Sequence, residues 1–254
     1  VTQLVAESTK KAALMDELRG PKMLEVLRRI LPKGMTPERF VVIVQTEIRK
    51  MPALLDCDRA STLAAFLQAA KLGLEPGVLG QCWCIPFGRE CVLVTGYRGL
   101  AQLAWRSGMV TSMSAHAVFQ GDIFDYEYGA RGVLKHKPGE ETDPLKLTHA
   151  YCTVDTIQGG TMFVVHTRKE IESRKARSRA GKSGPWVTDY AAMACKTAVL
   201  SLMKLMPLSV EMQTALSLDE AADTGDRQPF DVEVPELGAA TEAAEERQPG
   251  EEVA

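Results

Sequence analysis

The chain has 254 residues, 45% apolar and 25% charged, a mix expected of a folded soluble domain and not of a collagen-like or disulfide-rich secreted chain. No run approaches the roughly 18 apolar residues that a membrane helix needs, and residues 1–11 hold neither an apolar signal core nor a cleavage-type site, so a cytoplasmic setting is expected. The net charge of −3 hides a division, since residues 1–218 carry 28 bases and 21 acids whereas residues 219–254 carry two bases and twelve acids; a basic body attracts polyanions, nucleic acid above all.

In chain order, residues 1–31 read as helical with a break at Gly20-Pro21, and residues 1–30 are expected to form an N-terminal segment suited to a subunit contact. Thr36-Pro37 opens a helix, with Thr at the N-cap and Pro at the first helical position. Phe40, Val41, Val44, Ile48 and Met51 follow at helical spacing until Pro52 stops them. Ser61 is placed to cap the next helix, which carries Leu63, Phe66, Leu67 and Ala70 on its apolar face and ends at Gly73. Residues 81–87 and 91–95 then read as a hairpin around Gly88-Arg89-Glu90. A helix from Arg98 to Ser107 stops at Gly108. Residues 110–119 and 123–128 read as strands separated by Gly121-Asp122, residues 136–143 as a polar loop, and residues 147–156 with 161–166 as a second hairpin around Gly159-Gly160.

Thr167 caps a strongly basic helix, 168 to about 177. Residues 178–185, SRAGKSGP, read as a mobile loop. A long amphipathic helix covers about 189–205 and a short one 209–216. Residues 218–254, rich in Ala, Glu, Pro and Gly, read as a disordered acidic tail, dispensable for folding. The sum is an α+β fold: a single domain with a central, mainly antiparallel β-sheet of hairpins, helices packed on it, and the acidic tail.

The bases are concentrated. Seven fall between Arg168 and Lys182, against the acids Glu170 and Glu172, a density suited to a phosphate-binding surface. Aromatic rings stand beside bases at Tyr97-Arg98 and Trp105-Arg106, and Trp186 follows the basic loop; flat rings next to phosphate-binding bases suit unpaired nucleobases. Trp105 reads as a core residue, and Trp186 as either core or a base contact. Catalytic constellations are weaker. Gly181-Lys182-Ser183 resembles the end of a nucleotide phosphate loop, but Ala176 occupies the position of that motif's first glycine. The six cysteines contain no C-x-x-C pair and read as reduced thiols. Asp122, Asp125 and Glu127 form a candidate carboxylate cluster for metal-dependent nuclease chemistry, with Asp125 and Glu127 on one strand face; an exposed, charge-paired strand face accounts for the same residues. Nothing demands an enzyme.

The strings Leu72-Gly73-Leu74-Glu75-Pro76-Gly77, Pro86-Phe87-Gly88, Gly96-Tyr97-Arg98-Gly99 and Arg106-Ser107-Gly108 occur in this order, followed by His136-Lys137-Pro138-Gly139-Glu140, Gly184-Pro185-Trp186 and Met193-Ala194-Cys195-Lys196-Thr197-Ala198. With Thr36-Pro37-Glu38-Arg39 and Thr46-Glu47-Ile48-Arg49-Lys50 upstream, the chain resembles the RecT family of phage single-strand annealing proteins over about residues 30–217. The resemblance implies an annealing core over 31–217, a β-sheet fold with helices, and binding of single-stranded DNA. It further implies pairing with the complementary strand, by annealing or strand exchange, for homologous recombination and repair without ATP. Self-assembly into rings or helical filaments, a partner phage 5′→3′ exonuclease and a bacterial host cytoplasm belong to the same expectation. No cofactor is implied, with a Mg²⁺ dependence of DNA binding left open. A passive single-strand-binding protein and the metal-dependent nuclease are the alternatives. The DNA contacts expected on this basis are Tyr97, Arg98, Arg106, Lys169, Arg174, Arg177, Arg179, Lys182, Trp186 and Lys196. In one place the chain departs from the family: after Met193 it has Cys195, Leu200 and Ser201 where family members carry more bases, which weakens a DNA role for that helix.

Overall fold

The structure, a computed structural model, describes residues 12–77, 79–130, 132–206 and 209–235. Residues 12–19 form helix α1, and the chain bends at Gly20 into α2 (Pro21–Ile30), where the Gly-Pro break was expected. Leu14, Leu18, Met23 and Leu27 make one apolar stripe that lies in the main core. The described part of the N-terminal segment thus spends its apolar face within the protomer, which leaves only its outer, polar face for any subunit contact. Helix α3 (Pro37–Lys50) begins at Thr36, whose hydroxyl oxygen accepts the Arg39 amide at 3.3 Å.

Helix α4 (Arg59–Leu72) is buried almost all round, because its sequence offers Ala, Leu and Phe in every direction. Its cap is Asp58, whose carboxylate accepts the Ser61 amide at 2.8 Å. This corrects the expected cap at Ser61, which instead sits at the third helical position and donates its hydroxyl back to the Asp58 carbonyl. Gly73 ends the helix at φ 62°, a left-handed position that favours glycine.

Strands β1 (Cys82–Phe87) and β2 (Glu90–Thr95) pair antiparallel, with Phe87 opposite Glu90, so Gly88-Arg89 is a two-residue turn, one residue shorter than expected. Helix α5 (Tyr97–Arg106) follows. Strands β3 (Val110–Phe119), β6 (Leu147–Thr156) and β7 (Thr161–Thr167) form a three-stranded antiparallel sheet in the order β3-β6-β7. Strands β4 (Ile123–Glu127) and β5 (Val133–Lys137) form a separate hairpin. The α+β class with antiparallel hairpins holds, and the pairing among the described residues is divided over three sheets. Strand β5 ends within the stretch expected to be a polar loop. Helices α6 (Arg168–Arg177), α7 (Pro185–Thr188), α8 (Tyr190–Met203) and α9 (Val210–Thr224) complete the fold.

The three-stranded sheet is the middle layer. By the period of two, Ala150, Cys152 and Val154 of β6 face the helical side and join the cores beneath α8, while Tyr151 faces the β4–β5 hairpin. There Tyr151, Val118 and Val165 pack against Phe124, Tyr126, Leu134 and Phe163. The expected tail boundary at 218 is also corrected. Leu218 and Asp219 are buried in α9, and Gln228 is buried farther on. The Gln228 amide donates to the carbonyls of Leu93 and Leu218 and accepts the Leu93 amide, all at 2.7–2.8 Å, satisfying the outer edge of β2. Phe230, Val232 and Val234 pack on the core. Residues 219–235 are therefore part of the folded body, and the remainder of the expected tail, 236–254, lies outside the described residues.

Candidate nucleic-acid interface

The basic helix α6 is fixed at its N-terminus by a capping box. The Glu170 carboxylate accepts the Thr167 amide at 2.7 Å, and the Thr167 hydroxyl oxygen accepts the Glu170 amide at 3.4 Å. The Thr167 amide, then its hydroxyl, hold the Glu170 carboxyl below the usual carboxylate range. Ile171 is buried, and positions 169, 173, 176 and 177 are exposed, so one face of a helix about 15 Å long points to solvent.

The seven bases separate into two groups. Arg168 is folded back onto the carbonyls of Pro144, Leu145 and Leu147. Arg174 pairs with Asp223 at 3.2 Å, and Lys175 lies over the Tyr190 ring, 5.2 Å from its centre. Arg179 stacks over Phe87 at 3.8 Å, and its backbone amide donates to the Asp223 carbonyl. The Ser178 hydroxyl donates to the Asp223 carboxylate at 2.8 Å, so the expected mobile loop is anchored to α9 at its first residues. Lys169, Arg177 and Lys182 are exposed and make no ion pair or side-chain hydrogen bond among the described residues.

Of the other expected contacts, three are committed to the fold. Trp186 is 2% exposed, packed with Ile171, Tyr190 and Ala194. Arg106 donates to the carbonyls of Leu72 and Gly73 at 2.9 and 3.2 Å, tying α5 to the end of α4. Lys196 is buried and paired with Asp219 at 2.5 Å. Tyr97 and Arg98 are exposed at the start of α5. Of the two readings open for Trp186 the core one holds, whereas Trp105, expected in the core, is 47% exposed. A Gly-Pro start turns α7 inward and carries Trp186 with it, whereas Trp105 falls on the outer side of α5.

The carboxylates divide as well. Asp125 and Glu127 lie on the exposed face of β4, with Lys135 directly across from Asp125. Asp122 turns inward and is used by the backbone: it accepts the amides of Phe119 at 2.8 Å and Gly139 at 2.7 Å, and His136 Nε2 lies 3.0 Å away. A carboxylate only accepts, so His136 Nε2 carries a proton and donates. Burial alone would raise the Asp122 carboxyl, but these hydrogen bonds win and hold it below its ordinary value. The pair locks the hairpin's ends and does not project into solvent. Burial pushes the His149 and His166 imidazoles down, toward their neutral forms, and pushes the Cys152 and Cys195 thiols up, to about 12 and about 11. Among the described residues no group of three or more His, Cys, Asp and Glu gathers as metal ligands would, and no helix is long and apolar enough to cross a membrane.

Two exposed aromatics are not singled out by the sequence: Tyr128, 56% exposed just past β4, and Trp83. Trp83 is 40% exposed on β1, between the buried Cys82 and Cys84. The alternation was legible in the string CWC, but its sense, cysteines in and tryptophan out, runs against the size of the side chains.

A three-stranded sheet is backed by helices, and Lys169 and Arg177 on the outer face of α6, with Lys182 just beyond it, give a surface suited to a polyanion. The RecT family matches residues 38–233. Protein RecT of Escherichia coli (strain K12) is 44% identical over 222 residues, 84% of this chain and 82% of that protein. The uncharacterized protein YqaK of Bacillus subtilis (strain 168) is 27% identical over 207 residues, 81% of this chain and 71% of that protein. The chain belongs to the RecT family, the DNA-binding proteins that anneal single strands in recombination.

Proposed function

We propose that this protein binds single-stranded DNA and accelerates its pairing with the complementary strand without ATP, as an oligomer. The strands would be exposed by a partner 5′→3′ exonuclease, in the cytoplasm of a bacterial host. The observation that carries this reading is the set of exposed, unpartnered cations Lys169, Arg177 and Lys182, in a chain of this family. Phosphate contacts from such side chains fix a strand in place without reading its sequence. Two complementary strands repel each other, and a basic surface lowers that repulsion. Base pairing then supplies the driving force, so nucleotide hydrolysis has no step to power. Repetition of a weak site along an oligomer converts modest contacts into avidity on one strand.

The test is annealing of two complementary fluorescent oligonucleotides by the purified protein, with no nucleotide, against a protein-free control. Acceleration is expected. Binding without acceleration would replace this reading with that of a passive coat, and no binding at all would overturn it. Strand cleavage that requires Mg²⁺ and is lost in the Asp125→Ala, Glu127→Ala double variant would favour the nuclease instead.

A further inference from the structure

Strand β1 turns Cys82 and Cys84 into the core, so Trp83 faces outward. Its indole is nevertheless held in place. A Cβ at Gly96 would meet Trp83 Cζ3 at 2.8 Å and Cη2 at 3.1 Å, and one at Gly80 would meet Trp83 Cζ2 at 3.8 Å. The benzene edge of the ring therefore rests on glycine backbone, and at Gly96 no side chain fits between. The same point on Gly80 lies 3.6 Å from Cδ of Arg98, so the arginine stem flanks the glycine on which the ring rests. Arg98 is exposed and has no ion pair or side-chain hydrogen bond among the described residues. The first turn of α5, where Arg98 sits, holds no acid and no side-chain cap. An unpaired cation thus stands beside a fixed, half-exposed ring.

The outer face of β1 also leads to the basic cluster. By the period of two, Trp83, Ile85 and Phe87 share that face, and Arg179 lies over Phe87 at 3.8 Å. Phe87 lies four steps along the strand from Trp83, about 13 Å. The exposed indole is therefore continuous with the loop that carries Lys182.

We propose that Trp83 is a base-stacking platform of the single-strand site, with Arg98 binding the phosphate beside the stacked base. The inference rests on the annealing reading above. An apolar protein partner would bury Arg98 without a counter-charge, which is costly; a nucleotide answers the ring and the cation at once. Stacking uses the face of a base and is indifferent to its identity. It leaves the Watson–Crick edge free for the incoming complement, as an annealing site requires.

The test uses the full chain and an oligo-dT strand. Trp105→Phe leaves Trp83 as the exposed emitter, because Trp186 is buried. Addition of oligo-dT is expected to quench the emission of this variant, and the quench is expected to vanish in Trp83→Phe with Trp105→Phe. Trp83→Ala is expected to weaken oligo-dT binding about tenfold, while Trp83→Phe retains most of the affinity. Unquenched Trp83 emission under saturating oligo-dT overturns the platform even if Trp83→Ala fails to fold, and leaves the annealing reading intact. Absence of oligo-dT binding by the unsubstituted chain overturns that reading itself.

Discussion

Lys196 Nζ and Asp219 Oδ1 meet at 2.5 Å between α8 and α9, with both side chains nearly closed off from water. Such a pair contributes little compared with an apolar pair of the same shape, but removing one member leaves a buried charge with no partner. Lys196→Met is therefore expected to cost about 3 kcal/mol or more, a fall in Tm of roughly 6–12 °C for a chain this long. Thermal unfolding checks it, and the Lys196→Met, Asp219→Leu double variant should recover most of the loss. Single-strand affinity measured on the folded fraction should be unchanged, because this lysine does not face solvent. A drop in affinity with no drop in Tm would return Lys196 to the DNA-binding set. What sequence conveys about single residues follows from how local the determinant is. Thr36 and Thr167 were legible as caps because a cap bonds three residues on. Whether Lys196 or Arg106 is free could not be read, since their partners lie 23 and 33–34 residues away.

Helix α6 shows how one element can serve both fold and ligand. Its inner side is tied down by Ile171, the Arg174–Asp223 pair and the capping box, so its outer side can carry uncompensated charge without fraying. Replacing Lys169, Arg177 and Lys182 together with Ala should preserve the helix and remove about three phosphate contacts. For single strands each contact contributes about 0.7 to the slope of log affinity against log salt. The slope is expected to become shallower by about 2, with the affinity loss larger at low salt than at high. Fluorescence titrations at several salt concentrations measure this, and a slope equal to that of the unsubstituted chain would rule these side chains out as phosphate ligands. The helix and its basic face were legible because charge, cap and period agree within ten residues. Strand β5 was not. It is a short run, Val-Leu-Lys-His-Lys, whose inward positions are only Leu134 and His136. Its strand character comes from pairing with β4 and from packing on the Tyr151 face of the neighbouring sheet, and neither is local.

At the scale of the whole molecule, the charge division has two physical meanings that composition merges. The first acids after residue 218 are structural: Asp219 neutralises Lys196, and Asp223 neutralises Arg174 and accepts from Ser178. Gln228 then covers the edge of β2, and Lys71 donates to Asp231 at 2.7 Å. The sequence alone shows a run of acids and helix breakers with one aromatic, so composition draws the boundary earlier than packing does. Residues 236–254 hold six acids and one base, and without them the chain has 29 bases against 27 acids. Two truncations separate these roles. A chain ending at 218 loses two buried or half-buried ion pairs and the β2 edge cover, and is expected to be unfolded or aggregated. A chain ending at 235 keeps all of them and is expected to unfold with the Tm of the full chain. Its affinity for single strands should be equal or higher at low salt, because the acids of residues 236–254 compete with DNA for the same cations, and any gain should fade as salt screens that competition. Circular dichroism melts and salt-dependent titrations of the two truncations decide the matter. A folded chain ending at 218 would refute the structural role of the first acids, and a weaker-binding chain ending at 235 would show that the last residues assist DNA binding rather than oppose it.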